Sequence, residues 1–171
     1  MRMKLFPRRN NKLYMKGRHK NRPLPDCYSL LHYMLYSCNA PLVPLKQELQ
    51  MLLEYIELEK QRYGNQLEVA IQIPSIDPEL IIAPLLILPF IENCFKHGAS
   101  EILEQPWINI QLQVDDKEIH LKIINGKAPN TAVQSGGIGI GNVRRCLALL
   151  YPDRYDLQII AGEEIYIVNL K

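Results

Sequence analysis

The stretch PLLILPFIENCFKHG, residues 84–98, decides how the rest of the chain is read. It continues an apolar run from Ile81 to Phe90, broken by Pro84 and Pro89, and then turns polar without losing helical spacing. A run of this kind buries itself on every side, so the polar cluster behind it leaves the core at a defined place. On a helix Asn93, Lys96 and His97 stand three and four residues apart and share one face, while Phe95 turns back toward the core. Gly98 is a fitting helix-ending residue. An amide oxygen beside an ammonium suits a magnesium-bound triphosphate, because magnesium takes few protein ligands and completes its shell with phosphate oxygens and water. Glu92 is placed to orient a water or to polarise an acceptor. The same letters also describe a helix that merely ends in polar residues, and this stretch alone does not choose between the two.

Further along, SGGIGIGN at 135–142 lies directly before a helical pattern read from Asn142 to Leu150. Glycines at 136, 137, 139 and 141 allow close backbone approach, and the start of the following helix offers free N–H groups to an anion. The loop is no dinucleotide fingerprint, since the strand before it belongs to a hairpin and not to a βαβ unit. It lacks the G-K-[ST] of a Walker loop.

Around these motifs, Pro44 to Arg62 carries apolar residues at helical spacing and stops at Gly64, and a shorter helical pattern runs from Tyr28 to Cys38. Leu67 to Ile73 alternates as a half-buried strand. Trp107 to Val114 and Glu118 to Ile124 form a hairpin about residues 115–117, and 155–160 with 165–170 form another around Gly162. Helices beside a mixed sheet, without regular βαβ alternation, predict an α+β fold, a two-layer α/β sandwich.

Composition narrows the function. The 171 residues are 47% hydrophobic, enough for one solid core, and the formal charge is +2. Nine of the 20 basic residues fall in the first 22 positions, which leaves 11 basic against 18 acidic residues in 23–171, a body of about −7. A mildly acidic body argues against binding duplex DNA. The leader 1–26, with Pro7, Pro23 and Pro25, reads as a basic, poorly ordered arm; contact with anionic lipid or nucleic acid is its other reading, although only Phe6 and Tyr14 offer aromatic stacking. No nucleic-acid partner is expected. Cys27, Cys38, Cys94 and Cys146 have no metal-ligand spacing and read as reduced thiols. No apolar stretch is long enough for a membrane helix, which predicts a cytoplasmic protein.

In this order, the two motifs resemble the N box and second glycine box of the GHKL ATPases. The longer set YMLY, VPLKQEL, YIELEKQRYG, PLLILPFIENCFKHG, GGIGIGNVR and LLYP is similar to the LytS-type sensor histidine kinases from about Tyr28 to Lys171. The resemblance implies the GHKL, or Bergerat, ATP-binding fold over 65–171, preceded by 27–64 as the second part of a dimerisation hairpin. It implies ATP and Mg2+ as cofactors: Asn93 on the metal, Lys96 and His97 near the phosphates, Glu92 as the polar catalytic partner. Gly137, Gly139 and Gly141 would line a mobile lid at 127–135, with Asn142 and Arg144 following as nucleotide-binding residues. As partners it implies a homodimer or a full-length kinase, and a response regulator downstream.

Three positions depart from that pattern. Asn125 stands where relatives place an Asp that accepts from the adenine amino group, a loss of about 1 kcal/mol, or fivefold in affinity. An amide free to flip would also serve guanine, so weakened purine discrimination is expected. Cys146 replaces an Arg of the family pattern and reads as a buried thiol. No histidine among His19, His32, His97 and His120 sits in the family's phosphoacceptor setting. The expected function is therefore transfer of the ATP γ-phosphoryl group to a histidine on another segment or chain. The alternative is a non-catalytic module that binds nucleotide or a partner kinase.

Overall fold

The computed structural model describes residues 6–7, 33, 40–98, 105–116, 118–127 and 138–171. The first long element is α1, Leu45–Tyr63, which buries Leu45, Leu49, Leu52 and Ile56 along one stripe. Pro44 occupies its N-cap position, and Gly64 ends it at φ 62, a left-handed angle that only glycine adopts without strain.

The large sheet has five strands: β3 (Glu68–Gln72), β5 (Trp107–Asp115), β6 (Glu118–Gly126), β7 (Leu157–Ala161) and β8 (Ile165–Leu170), ordered β3-β5-β6-β8-β7. Only β3 and β5 pair in parallel. A parallel pair needs a crossover, and this one carries α2, Leu88–Gly98, across one face of the sheet. Alternation sends Ile108, Ile110 and Leu112 of β5, Ile119, Leu121 and Ile123 of β6, and Val168 and Leu170 of β8 to that face, all of them buried. The opposite face carries the half-buried His120 and exposed Lys122, as the strand pattern anticipates. The result is the expected α+β arrangement of helices beside a mixed sheet.

Three details differ from the sequence reading. Phe6–Pro7, inside the supposed leader, forms β1 and pairs with β4 (Leu80–Ile82), whose other edge takes β2 (Val43–Pro44). The remainder of 1–26 lies outside the described residues, and so does the 28–38 pattern apart from Tyr33, which is helical. The apolar run expected to bury itself whole is divided into β4, a turn at 83–87 and α2. Finally, α3 spans Ile138–Leu150 and so begins four residues before Asn142. Two glycines in a first turn cost about 1 kcal/mol each against alanine, a cost offset by burying Ile140 and Val143 in line with Leu147.

Tyr151, just past α3, is fully buried and its hydroxyl accepts the N–H of Ala83 at 3.0 Å, tying that helix end to the 83–87 turn. Burial pushes the phenol up to about 12. Tyr151→Phe leaves a buried N–H without its acceptor and is expected to cost about 1–3 kcal/mol of stability at neutral pH, read from denaturant midpoints. The raised phenol loses its proton first in the unfolded chain, so this part of wild-type stability declines as pH rises from about 10 toward 12. The gap to the phenylalanine variant should narrow over that window; a gap that widens contradicts this account.

Candidate functional site

The core side of α2 is set by Phe90, Ile91, Cys94 and Phe95, none more than 2% exposed. Tyr55 of α1 meets the Phe95 ring edge-on at 6.0 Å, and Tyr63 stacks on it at 6.2 Å while donating its hydroxyl to the Phe95 carbonyl at 3.2 Å. With that side committed, Asn93 is half-buried, and Glu92 and Lys96 are exposed. His97 lies on the same helix, its side chain outside the described residues.

Asn93 stands one helical turn beyond Pro89, so the two share a face. That face meets the start of α3, where a Cβ built on Gly139 would lie 3.3 Å from the Cβ of Pro89. The glycine-rich segment and the Asn93 side of α2 are therefore neighbours. Gly139 and Gly141 belong to the first turn of α3, whereas the sequence pattern reads them as part of the loop before that helix. Gly139 serves close helix approach, whereas a Cβ on Gly141 would meet open space. Asn142 and Arg144 follow on α3 and are exposed. Gly137 and residues 128–135 of the anticipated lid lie outside the described residues.

Asn125 closes the inward row Ile119, Leu121, Ile123 on β6 and is fully buried. Its Nδ2 donates to the Gly126 carbonyl at 2.8 Å, while its Oδ1 is buried with no hydrogen-bond partner. A lone acceptor at the end of an apolar row is costly unless something donates to it. The freedom to flip expected of this amide is absent, because turning it over would break the bond to Gly126 and bring two oxygens together.

The register places Tyr166 beside Asn125. Burial raises the Tyr166 phenol, with Cys94 of α2 adding to the rise and Arg144 of α3 opposing it. Tyr166 escaped the sequence reading, although the β8 alternation that buries Val168 and Leu170 carries it. Glu59 escaped too. Burial raises the Glu92 carboxyl and Glu59 of α1 adds to it, so two carboxylates stand near each other where α1 meets α2. Cys94, expected to be a buried thiol, is buried and pushed up to about 12; Cys146 is half-buried and also raised by burial.

The residues present suit a magnesium nucleotide. Among the described residues no three His, Cys, Asp or Glu side chains gather as a cage for a bare metal ion. One amide beside helix-start N–H groups matches a cation that relies on phosphate for its other ligands.

No family profile matches the chain. It is 35% identical to YwpD of Bacillus subtilis over 79 residues, 46% of this chain and 28% of that one. It is 25% identical to the sensor histidine kinase BtsS of Escherichia coli over 125 residues, 72% of this chain and 22% of BtsS. The sensor protein LytS of Enterococcus faecalis is 22% identical over 64% of the chain, which spans 21% of LytS. The chain is LytS-like. The histidine kinase domain of the Erythrobacter litoralis blue-light activated kinase EL346 matches 75% of this LytS-like chain and 60% of its own length, at TM-score 0.55 and 16% identity. Full-length ShkA in complex with AMPPNP matches 82% of the chain and 35% of its own length, at TM-score 0.51 and 15% identity. The fold is thus that of histidine-kinase catalytic domains. The LytS-like chain spans 28%, 22% and 21% of the three sequence relatives. Among its described residues no helix is long and apolar enough to cross a membrane.

The two glycines of α3 give opposite expectations. Gly139→Ala presses on Pro89 at 3.3 Å; with Pro89 held in the first turn of α2, overpacking of about 1–3 kcal/mol is expected to exceed the gain in helix propensity, so the denaturant midpoint should fall. Gly141→Ala meets no neighbour and should raise it by up to about 1 kcal/mol. Shifts of the same sign in both variants contradict the close approach of α3 to Pro89.

Proposed function

We propose that the chain binds Mg-ATP between α2 and α3 and acts as the catalytic module of a sensor histidine kinase, delivering the γ-phosphoryl group to a histidine on another segment or chain. The observation that carries this reading is the orphaned Oδ1 of Asn125, a buried acceptor on the sheet face that α2 crosses. An exocyclic amino group is the donor such an oxygen lacks. The kinship with BtsS and LytS and the nucleotide complex of the structural neighbour ShkA support the same assignment.

The residues then divide the work. Asn93, half-buried on the α2 face, is the ligand for magnesium. Lys96 and His97, at the exposed end of that helix, offset phosphate charge. Glu92 orients the attacking group, and positioning with electrostatics supplies most of the rate. The first turn of α3 contributes N–H groups and its positive dipole end, with Asn142 and Arg144 beside it and Gly137 before it. When bound, Mg-ATP supplies the phosphoryl group and the metal offsets its charge. A second copy or a longer kinase chain carries the acceptor, and a response regulator takes the phosphoryl group onward.

Isothermal titration of the full chain with Mg-ATP tests this directly. Wild type should bind, and Asn93→Ala should weaken binding by about tenfold or more, the size of one charge-assisted contact. Heat of equal size and midpoint for both proteins sinks the assignment of Asn93.

The held amide sets purine choice. With one Nδ2 hydrogen held by Gly126, which fixes the amide, Asn125 presents Oδ1 as its unpaired oxygen, so ATP should bind at least about tenfold more tightly than GTP, whose corresponding group is also an acceptor. Equal affinity for the two, in side-by-side titrations, contradicts this orientation.

A further inference from the structure

The stretch YIELEKQRYG, residues 55–64, carries two tyrosines eight residues apart, and both close on one ring of α2. Positions eight apart return to nearly the same side of a helix, so Tyr55 and Tyr63 look out along one stripe of α1. Tyr55 meets Phe95 edge-on, at 82° between the rings, while Tyr63 lies nearly parallel to it at 23°. Ring pairs of these two kinds set a direction as well as a contact. The Tyr63 hydroxyl adds a second hold, donating to the Phe95 carbonyl at 3.2 Å. One residue of α1 thus grips both the side chain and the backbone of one residue of α2. That carbonyl lies in the last turn of α2, the part of a helix that frays unless something outside it holds it.

Tyr63 is itself fixed in place. It is the last residue of α1, and the Arg62 guanidinium packs over its ring, 5.7 Å from the centre. Gly64 then turns the chain, a single 3-10 turn covers Gly64–Gln66, and the Glu68 N–H donates to the Pro106 carbonyl at 3.0 Å as β3 begins. On the other partner, Phe95 is fully committed to the core, whereas Lys96, the next residue, is exposed. Consecutive side chains on a helix leave it about 100° apart. The angle at which Phe95 is held therefore fixes the direction in which Lys96 points.

We infer that Tyr63 is a positioning residue: by gripping the ring and the carbonyl of Phe95 it steadies the last turn of α2 and so aims Lys96 at the phosphates. Its consequence for affinity rests on the nucleotide reading above, whereas the steadying of the turn does not. The end of α1 and the Lys96 end of α2 move as one piece.

A double-mutant cycle on the full chain, read by Mg-AMPPNP titration, tests this. Tyr63→Phe keeps the stacked ring and removes only the hydroxyl, so affinity should fall by about fivefold, the worth of one hydrogen bond. Lys96→Ala removes the ammonium that the tyrosine aims. In that background Tyr63→Phe should change affinity by less than about twofold, because two residues that act through one another are not additive. Lys96→Gln takes its place if the alanine variant binds too weakly to titrate. An equal loss in both backgrounds reduces Tyr63 to general packing and overturns the inference, as does no loss in either. Hydrogen exchange read by mass spectrometry gives the second measurement. In Tyr63→Phe the amides of residues 95–98 should exchange about fivefold faster while β5 and β6 keep their protection. Unchanged exchange at 95–98, or a uniform rise across the sheet, also overturns it. A local rise in a protein whose wild type binds no Mg-AMPPNP upholds the steadying of α2 and overturns the nucleotide reading instead.

Discussion

The contact between Pro89 and Gly139 governs how the rest of this molecule can work. It brings the first turn of α3 against the first turn of α2 so closely that a β-carbon on Gly139 would lie 3.3 Å from that of Pro89, and Asn93 lies one turn farther along the same face. A side chain at 139 would press on Pro89 and push the two helix starts apart by a few tenths of an ångström. The contact holds because α2 is pinned from behind. Phe90, Ile91, Cys94 and Phe95 are packed into the core, and the rings of Tyr55 and Tyr63 bracket Phe95 from α1. The parallel pairing of β3 with β5 forces the crossover that lays α2 over the sheet in the first place.

Two buried polar side chains mark the two ends of this arrangement, and they behave differently. Glu48 takes the Tyr33 hydroxyl on its Oε2 and is carried on the inward stripe of α1. Asn125 is part-satisfied: one of its N–H groups is used and its acceptor is not. A protein interior rarely leaves such an atom alone, which is why this oxygen is the strongest pointer to a ligand in the described structure. It sits on the sheet face that α2 crosses, in register with Tyr166.

Much of this was legible in the chain of letters because each long element buries one face. The stripe Leu45, Leu49, Leu52, Ile56 and the alternation Ile108, Ile110, Leu112 state their periods plainly. The start of α3 was hidden because glycine at 139 and 141 reads as loop unless tertiary packing is known, and Ile140 alone is too little to announce a helix. The strands at 6–7, 43–44 and 80–82 are shorter than an alternation needs to become visible. Asn125 could be placed at the end of a strand, but the fixed direction of its amide depends on the carbonyl of Gly126. Glu48 reads as a surface glutamate in KQEL; its place on the Leu45–Leu49–Leu52 stripe was the available signal. Asn93, Lys96 and Glu92 were found together because helical spacing alone puts a shared origin on them, while the Glu59–Glu92 approach joins two helices that no local pattern relates.

The central claim is a magnesium nucleotide held between α2 and α3, and a crystal structure of the full chain grown with Mg-AMPPNP tests it most directly. The account predicts magnesium bound to Asn93 Oδ1, triphosphate oxygens at the first turn of α3, and the adenine amino group donating to Asn125 Oδ1. A nucleotide bound elsewhere on the chain, with Asn125 Oδ1 still lacking a donor, would contradict it.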